Sequence, residues 1–173
     1  MIPRYFSMNI EIKEVKELSQ IESVAILADE IWTEHYTSII GSDQVRYMVD
    51  KFQSNKAISA QIDDGCNYYL AYINGDPVGY ITLIIDNTKH EVMISKIYVK
   101  SKIRKNGIGQ KFIELAESEC KRNNHTKIWL TVNRFNTTSI DWYKKQGFSV
   151  INEIKKDIGN GFVMDDYVME KIF

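Results

Sequence analysis

A predicted strand that runs into a basic, glycine-containing turn is the part of the sequence best suited to chemistry. Residues 94–109 read ISKIYVKSKIRKNGIG, and the turn carries three basic side chains: Lys102, Arg104 and Lys105. The start of a helix presents unpaired backbone N–H groups and the positive end of the helix dipole to an anion. Gly107 and Gly109 would let that backbone approach a ligand closely. The segment therefore predicts a binding site for a pyrophosphate group.

Other phosphate-binding motifs fit this turn less well. The Walker motif requires Gly-Lys-Ser/Thr, which the chain lacks, and the dinucleotide motif requires a third glycine where Phe112 stands. An isolated Gly-x-Gly is also compatible with an ordinary glycine-rich turn and solvated lysines. A second motif is needed to decide between a ligand site and such a turn.

That second motif lies in residues 130–148, which read LTVNRFNTTSIDWYKKQGF. The segment combines a strand, an asparagine-containing turn, a short helix and a Gly-Phe ending. Together with residues 104–109, RKNGIG, which fit the signature Gln/Arg-x-x-Gly-x-Gly/Ala, it resembles the GNAT N-acetyltransferase superfamily. The resemblance covers nearly the whole chain from Asn9 and implies acetyl transfer from acetyl-CoA to an amine. Ser139, where the family often has Ala, and the pair Lys105-Asn106 depart from the common pattern.

The same resemblance assigns residues to the coenzyme and implies no metal ion. The backbone of the strand end is expected to pair with the pantetheine arm: Ile97, Tyr98 and Val99. The turn and the helix start are expected to hold the pyrophosphate: Arg104, Lys105, Asn106, Gly107, Ile108 and Gly109. Asn136 is expected to contact the arm near its amides, and Lys145 to lie near the coenzyme phosphates.

Acetyl transfer also needs a proton donor for the departing thiolate, and Tyr143 is the candidate. An ordinary phenol has a pKa of about 10, close enough to the value of about 8.5 for a thiol for a positioned tyrosine to serve. A tyrosine that only packs in a helix is the alternative, which we favour for the other nine tyrosines. Its position in the second motif distinguishes Tyr143 from them.

The general base stays unassigned. Strict alternation would place Glu91, Met93, Ser95, Ile97 and Val99 on one face of their strand. Of these residues only Glu91 and Ser95 could act, through water, and Met93 stands where some GNAT enzymes have a carboxylate. Glu34, beside His35, is a second candidate. The three histidines, His35, His90 and His125, are expected to be ordinary surface or turn residues.

The tail at residues 158–169 resembles bacterial polyamine acetyltransferases of the PaiA type. A polycation such as spermidine or spermine needs carboxylates spaced along a groove, and the chain offers Glu34, Asp63-Asp64 and Asp165-Asp166. Solvated turn residues are the alternative interpretation of these acids. A different small amine, a protein amino group, a non-catalytic acetyl-CoA-binding module and a peptide-interaction domain remain alternative functions.

Hydrophobic periodicity predicts the element order βααβββαβαββ in one domain over residues 9–173, after an extension at residues 1–8. A capping box formed by Ser19 and Glu22 is expected to start the first helix. Hairpins are expected around Asn74-Gly75 and around residues 159–161. These elements indicate an α/β fold with a mixed, mostly antiparallel sheet and helices on both faces, as the GNAT resemblance implies.

Composition narrows the partners of the chain. Its 173 residues have a formal net charge of −1, which argues against nucleic acid, and no apolar run is long enough for a membrane span. Cys66 and Cys120 lack zinc-site spacing and are expected to be buried thiols. No signal peptide is evident, so we expect a cytoplasmic protein that starts at Met1 or Met8. The sequence is compatible with a homodimer.

Overall fold

One seven-stranded sheet organises the molecule, in a computed structural model that describes residues 9–173. Its strands are β1 Ile10–Glu14, β2 Asn67–Ile73, β3 Asp76–Asp86, β4 Glu91–Val99, β5 Lys127–Asn133, β6 Ser149–Gly159 and β7 Phe162–Ile172. Its helices are α1 Leu18–Ile40, α2 Ser42–Gln53, α3 Asn55–Asp63, α4 Ile108–Arg122 and α5 Thr137–Lys145, with a 3₁₀ turn at Ser101–Ile103. The strand order is β1-β2-β3-β4-β5-β7-β6, and every neighbouring pair is antiparallel except β4 with β5.

The predicted mixed sheet with helices on both faces is confirmed. Side chains of α4 and α5, among them Phe112 and Ile140, bury one face of the sheet, while α1, α2 and α3 bury the other with residues such as Leu27 and Ile58. Strand alternation feeds both cores, since Leu70 packs on the α1 side and the next residue packs on the α4 side. The predicted thiol burial holds for Cys120, whereas Cys66 is partly exposed.

Two details of the helical region differ from the sequence prediction. The capping box at Ser19 and Glu22 is wrong: the N-cap is Glu17, and Gln20 Oε1 accepts the backbone N–H of Glu17 at 2.9 Å. The second predicted helix corresponds to α2, but the predicted order lacks α3, which begins where Ser54 ends α2 and accepts the Ala57 N–H at 3.3 Å as its cap.

The parallel pair β4 and β5 separates part-way along its length. Residues 91–94 pair with residues 127–130, after which β4 continues along β3 and β5 continues along β7. Within the described chain, no strand pairs with the β5-facing edge of β4 beyond Ile94. We call the gap between residues 95–99 and residues 131–133 the β4–β5 cleft. Because the strands are parallel, the C-terminal ends of β4 and β5 both lie at this end of the sheet. The N-terminus of α4 follows β4 along the chain, and that of α5 follows β5.

A β-bulge at the start of the cleft overturns the predicted side-chain alternation of β4. Lys96 pairs with Thr82 and Ile94 pairs with Leu83, so Ser95 has no opposite residue on β3. The extra residue reverses the faces, and Ile94 therefore packs in the same core as Ile97. Glu91 and Ile97 therefore lie on opposite faces of β4, although strict alternation would place them on the same face.

Candidate active site

The N-terminus of α4 lies at the open end of the cleft. Gly107 precedes the helix with a φ of 83°, and no side chain caps the helix there. The first backbone bond into the helix comes from Lys111 to the Gly107 carbonyl at 3.0 Å, so the amides of residues 108–110 have no partner within the helix. Lys102, Arg104 and Lys105 are exposed around them. An anion placed at this helix start would meet unpaired amides and positive charge.

Two of the predicted pyrophosphate residues also shape the turn itself. Arg104 Nε donates to the carbonyl of Val99 at 3.2 Å, and Asn106 Nδ2 donates to the carbonyl of Ile103 at 3.1 Å. Ile108 points into the core with 1% exposure. Any anion at this helix start would therefore meet the backbone N–H of Ile108, not its side chain.

Gly109 also has a structural role in the packing of two helices. A Cβ atom at this position would lie 3.0 Å from Cζ2 of Trp142, on α5. The absence of a side chain therefore allows α4 to pack closely against α5. Lys145, exposed and three residues after Trp142, lies on the same side of α5 as the contact with α4.

The other wall of the cleft ends at Asn136, which is buried at the start of α5. Its Nδ2 donates to the Tyr36 hydroxyl at 3.3 Å, and its Oδ1 lies 3.2 Å from His35 Nε2. The Tyr36 ring also meets Tyr98 of β4 edge to face, with ring centroids 6.4 Å apart. Helix α1 therefore joins the two walls of the cleft through these side chains.

Tyr143 lies on α5, about two helical turns beyond Asn136. Burial raises the pKa of its phenol, and the nearby Tyr36 raises the pKa further, so the group stays protonated. Among residues 9–173, no protein group hydrogen-bonds the Tyr143 hydroxyl. The phenol is thus in the form that a proton donor requires.

His35 is partly buried on α1, contrary to expectation, whereas His90 and His125 lie in loops as expected, although His125 is buried. Partial burial lowers the pKa of His35, although its hydrogen bond with Asn136 opposes that change. His125 is 6% exposed and packs against His90 with ring centroids 5.9 Å apart. The latter pair sits in the loops before β4 and β5, at the opposite end of these strands from the cleft.

The two adjacent aspartates of β7 face opposite sides of the sheet. Asp165 Oδ1 lies 2.7 Å from Arg134 Nε, which makes an ion pair at a partly exposed site. Asp166 is 6% exposed, and burial raises the pKa of its carboxyl to about 6 against a hydrogen bond from Thr131 that lowers it. The two adjacent carboxylates therefore lie in different environments.

The remaining predicted acids lie elsewhere. Glu91 is buried at the far end of β4, 2.7 Å from Lys127 Nζ, and accepts a hydrogen bond from Trp129. Glu34 is exposed and accepts the Ser101 hydroxyl at 2.7 Å, beside the basic turn. Asp63 and Asp64 precede β2 at the end of the sheet opposite Asp166, so the two acidic pairs do not line one groove.

Comparison with known proteins agrees with this geometry. The family model described as acetyltransferase (GNAT) family matches residues 25–148, well over half of the chain. The chain belongs to the GNAT acetyltransferase family. A spermidine N(1)-acetyltransferase of Thermoplasma acidophilum is 24% identical over 163 residues, which cover 91% of this chain and 97% of the relative.

Solved structures show the same fold. The PaiA N-acetyltransferase of Thermoplasma acidophilum, solved in complex with coenzyme A, superposes with a TM-score of 0.80 at 23% identity and covers 96% of this chain and 100% of its own. A GCN5-related N-acetyltransferase of Rhodopseudomonas palustris also gives 0.80, at 14% identity, with coverages of 96% and 98%. The predicted GNAT fold and the predicted N-acetyltransferase class are therefore confirmed.

None of the helices within residues 9–173 is long and apolar enough to cross a membrane. The same residues bring together no group of three or more His, Cys, Asp or Glu side chains that could bind a metal ion.

Sequence reasoning missed Tyr36 and the separate environments of the aspartates. Tyr36 falls on the apolar face of its helix, yet its hydroxyl accepts a hydrogen bond from Asn136. The spacing of Trp32, His35 and Tyr36 is a signal that could have found it, because polar aromatic residues three and four apart share a helix face.

Proposed function

We propose that this GNAT N-acetyltransferase transfers the acetyl group of acetyl-CoA to a primary amine of a polyamine such as spermidine or spermine. The observation that carries the coenzyme part of the proposal is the β4–β5 cleft, which opens onto the uncapped N-terminus of α4. An unpaired strand edge and a helix N-terminus meet there, and a long ligand with amides and a pyrophosphate needs both.

The pantetheine arm would lie in the cleft, where the backbone of Ile97, Tyr98 and Val99 can pair with its amides. Its pyrophosphate would meet the amides of residues 108–110 and the charges of Arg104 and Lys105. Asn136 borders the arm from the β5 side. Lys145 extends the positive surface along α5 towards the coenzyme phosphates.

The chemistry is direct transfer. A neutral amine attacks the thioester carbonyl, the C–S bond of the tetrahedral intermediate breaks, and the thiolate takes the Tyr143 proton. The raised pKa of Tyr143 keeps that proton in place until the thiolate forms. A negative sulfur beside the buried phenol would in turn receive a strong, charge-assisted hydrogen bond.

Support for a polyamine comes from the spermidine-acetylating relative and from the acceptor side of the cleft. There, the rings of Trp32, Tyr36 and Tyr98 lie together, with centroids 4.5 Å apart for the first two and 5.5 Å for Trp32 and Tyr98. Aromatic faces and buried carboxylates attract alkyl ammonium groups. Glu34, Asp165 and Asp166 were the predicted contacts, and of these Asp166 alone is both buried and free of a basic partner among the described residues.

The proposal is tested by measuring thiol release with a panel of amines. Spermidine and spermine should give kcat/KM values at least about tenfold above that of butylamine, equivalent to about 1.4 kcal/mol. Equal values for all three would rule out recognition of the distal charges. A peptide with a free α-amino group serves as the control acceptor, and a preference for it would move the acceptor class to proteins.

A further inference from the structure

We infer that Asp166 is the general base of the transfer, accepting the proton of the acceptor's reacting ammonium group. This inference rests on the proposed function, because it concerns the amine that attacks the thioester. It also separates Asp166 from Asp165, which adjoins it in sequence but serves the fold.

The register of the sheet places Asp166 one strand away from the cleft. Asp166 pairs with Asn133, the last residue of β5, so it lies beside the β5 wall on the side away from β4. Strand alternation puts it on the same face of β7 as Met164, which packs against the core cluster that includes residues of α1. The charge of Asp166 raises the pKa of the Tyr36 phenol, and the charge of Arg104 lowers it. The Tyr36 hydroxyl also accepts a hydrogen bond from Asn136.

Tyr143 lies in the core on the opposite face of the sheet from Tyr36, yet near enough for Tyr36 to raise its pKa. Both tyrosines also raise the pKa of Tyr98. A candidate proton donor and a buried carboxylate thus stand around one hydroxyl, at the point where the β4–β5 cleft meets α1. General acid–base catalysis of acetyl transfer needs such a pair on the two sides of the reacting carbonyl.

Asp166 is also the buried carboxylate that lacks a counter-charge. Glu91 has Lys127 at 2.7 Å and Asp165 has Arg134 at 2.7 Å, whereas no basic side chain of the described residues lies within 4 Å of Asp166. A buried charge without a partner is costly, and proteins retain such a group mainly where it functions. An incoming ammonium would supply the missing positive charge.

The other titratable groups around Asp166 do not replace it. The charge of Asp166 acts on Tyr36 of α1 and on Asp165 of its own strand. His35, Tyr98 and Tyr143 belong to the same cluster through their contacts with Asn136 or Tyr36. The four tyrosine and histidine groups carry no negative charge to attract an ammonium. The accepting Oδ1 of Asn136 moreover assigns the proton of His35 to Nε2, which ties that ring nitrogen to α5.

Every proton is accounted for in the acetyl transfer that this assignment implies. The ammonium gives one proton to the Asp166 carboxylate, directly or through one water, and the amine nitrogen then bonds the thioester carbon. The nitrogen loses a second proton as the C–S bond breaks, while the sulfur takes the Tyr143 proton and the phenolate recovers the second one. Asp166 releases its proton to solvent, so each turnover yields the amide, the free thiol and one proton.

The test compares Asp166→Asn with Asp165→Asn, which removes the same charge one residue away on the opposite face. With spermidine as acceptor, kcat/KM of Asp166→Asn should fall by at least about 100-fold, and Asp165→Asn should stay within about threefold of the parent protein. Acetyl-CoA affinity, measured by calorimetry, should be the same in all three proteins.

The pH profile distinguishes a base from a structural role. In the parent protein, log kcat/KM should fall below about pH 6 as Asp166 takes up a proton. In Asp166→Asn that limb should vanish, and the rate should climb with pH towards about 10.4 as free amine becomes available.

A folded Asp166→Asn protein with nearly full activity, or one that keeps the acidic limb, would overturn the inference while leaving the proposed function intact. A parent protein that releases no thiol with any amine would overturn both. If the parent protein prefers another amine, the same comparison with that amine decides the role of Asp166.

Discussion

Tyr143 carries the most specific chemical expectation at the scale of single residues. Tyr143→Phe keeps the ring that packs 5.9 Å from Phe148 and removes the transferable proton. Turnover should fall by about 10²- to 10⁴-fold, with the acetyl-CoA dissociation constant unchanged, as steady-state kinetics and calorimetry can measure. A loss smaller than about threefold, with chemistry limiting the rate, would transfer the donor role to water.

Asp166 gives a prediction about stability that is independent of activity. Its folded pKa of about 6 lies above the ordinary value of 3.8, so folding favours the protonated form. The cost of burying the charged form is absent below about pH 4, grows as pH rises and is complete above about pH 6. Asp166→Asn removes that cost and should stabilise the ligand-free protein by on the order of 1 to 3 kcal/mol at neutral pH.

Thermal unfolding measures this difference, because each kcal/mol shifts the midpoint by about 2–4 °C in a protein of this size. The gain of Asp166→Asn should appear at about pH 7.5 and disappear at about pH 4. The same loss of stability at both pH values would mean that the carboxylate stabilises the fold. A variant that is more stable and less active would fit a functional site.

At this scale the sequence predicts residues that belong to local motifs. Tyr143 and Asn136 follow from one short segment. Asp165 and Asp166 cannot be told apart from the sequence, because their environments depend on which face of β7 each one occupies. Tyr36 is hidden for a similar reason, since its hydroxyl bonds a residue 100 positions away.

The turn before α4 sets the expectation at the scale of elements. Lys105 is exposed and has a φ of 67°, in the stretch that leads to the uncapped helix start. Lys105→Glu should weaken acetyl-CoA binding by about three- to thirtyfold, since it replaces an attractive charge beside the phosphates with a repulsive one. Calorimetry at low and high salt measures the effect, which should shrink as salt screens the charges.

Lys56→Glu is the matched control, because Lys56 is an exposed lysine on α3, outside the cleft. Equal binding losses in the two variants would indicate a general effect of net charge. An unchanged affinity for Lys105→Glu would remove the basic turn from the coenzyme site.

Some element boundaries can be predicted from the local sequence and others cannot. Both hairpins are predicted correctly because Asn74, Gly75 and residues 159–161 all adopt the positive φ values that their residue types favour. The bulge at Ser95 has no such signal, since neither a glycine nor a proline marks it. It arises from pairing between β3 and β4, and it decides which side chains of β4 face each helix layer.

At the scale of the whole molecule, the separation of β4 from β5 makes the site. On the sides away from the cleft, β4 pairs with β3 and β5 pairs with β7, so both edges of the cleft are held rigidly. Helix α1 spans the cleft through Tyr36 and His35. Sequence order alone predicts a mixed sheet, but the depth at which two parallel strands separate depends on register. The coenzyme-binding residues at this cleft could therefore be predicted from the family resemblance, but not from the physical pattern of the sequence alone.

The most direct test of the account follows both products of one reaction. The protein is mixed with acetyl-CoA and spermidine, free thiol is measured, and mass spectrometry identifies the acetylated amine. The account predicts thiol release that depends on spermidine, matches acetylspermidine mole for mole and is nearly lost in Tyr143→Phe. Tight acetyl-CoA binding with no amine-dependent thiol release, across spermidine, spermine, butylamine and a peptide amine, would contradict it.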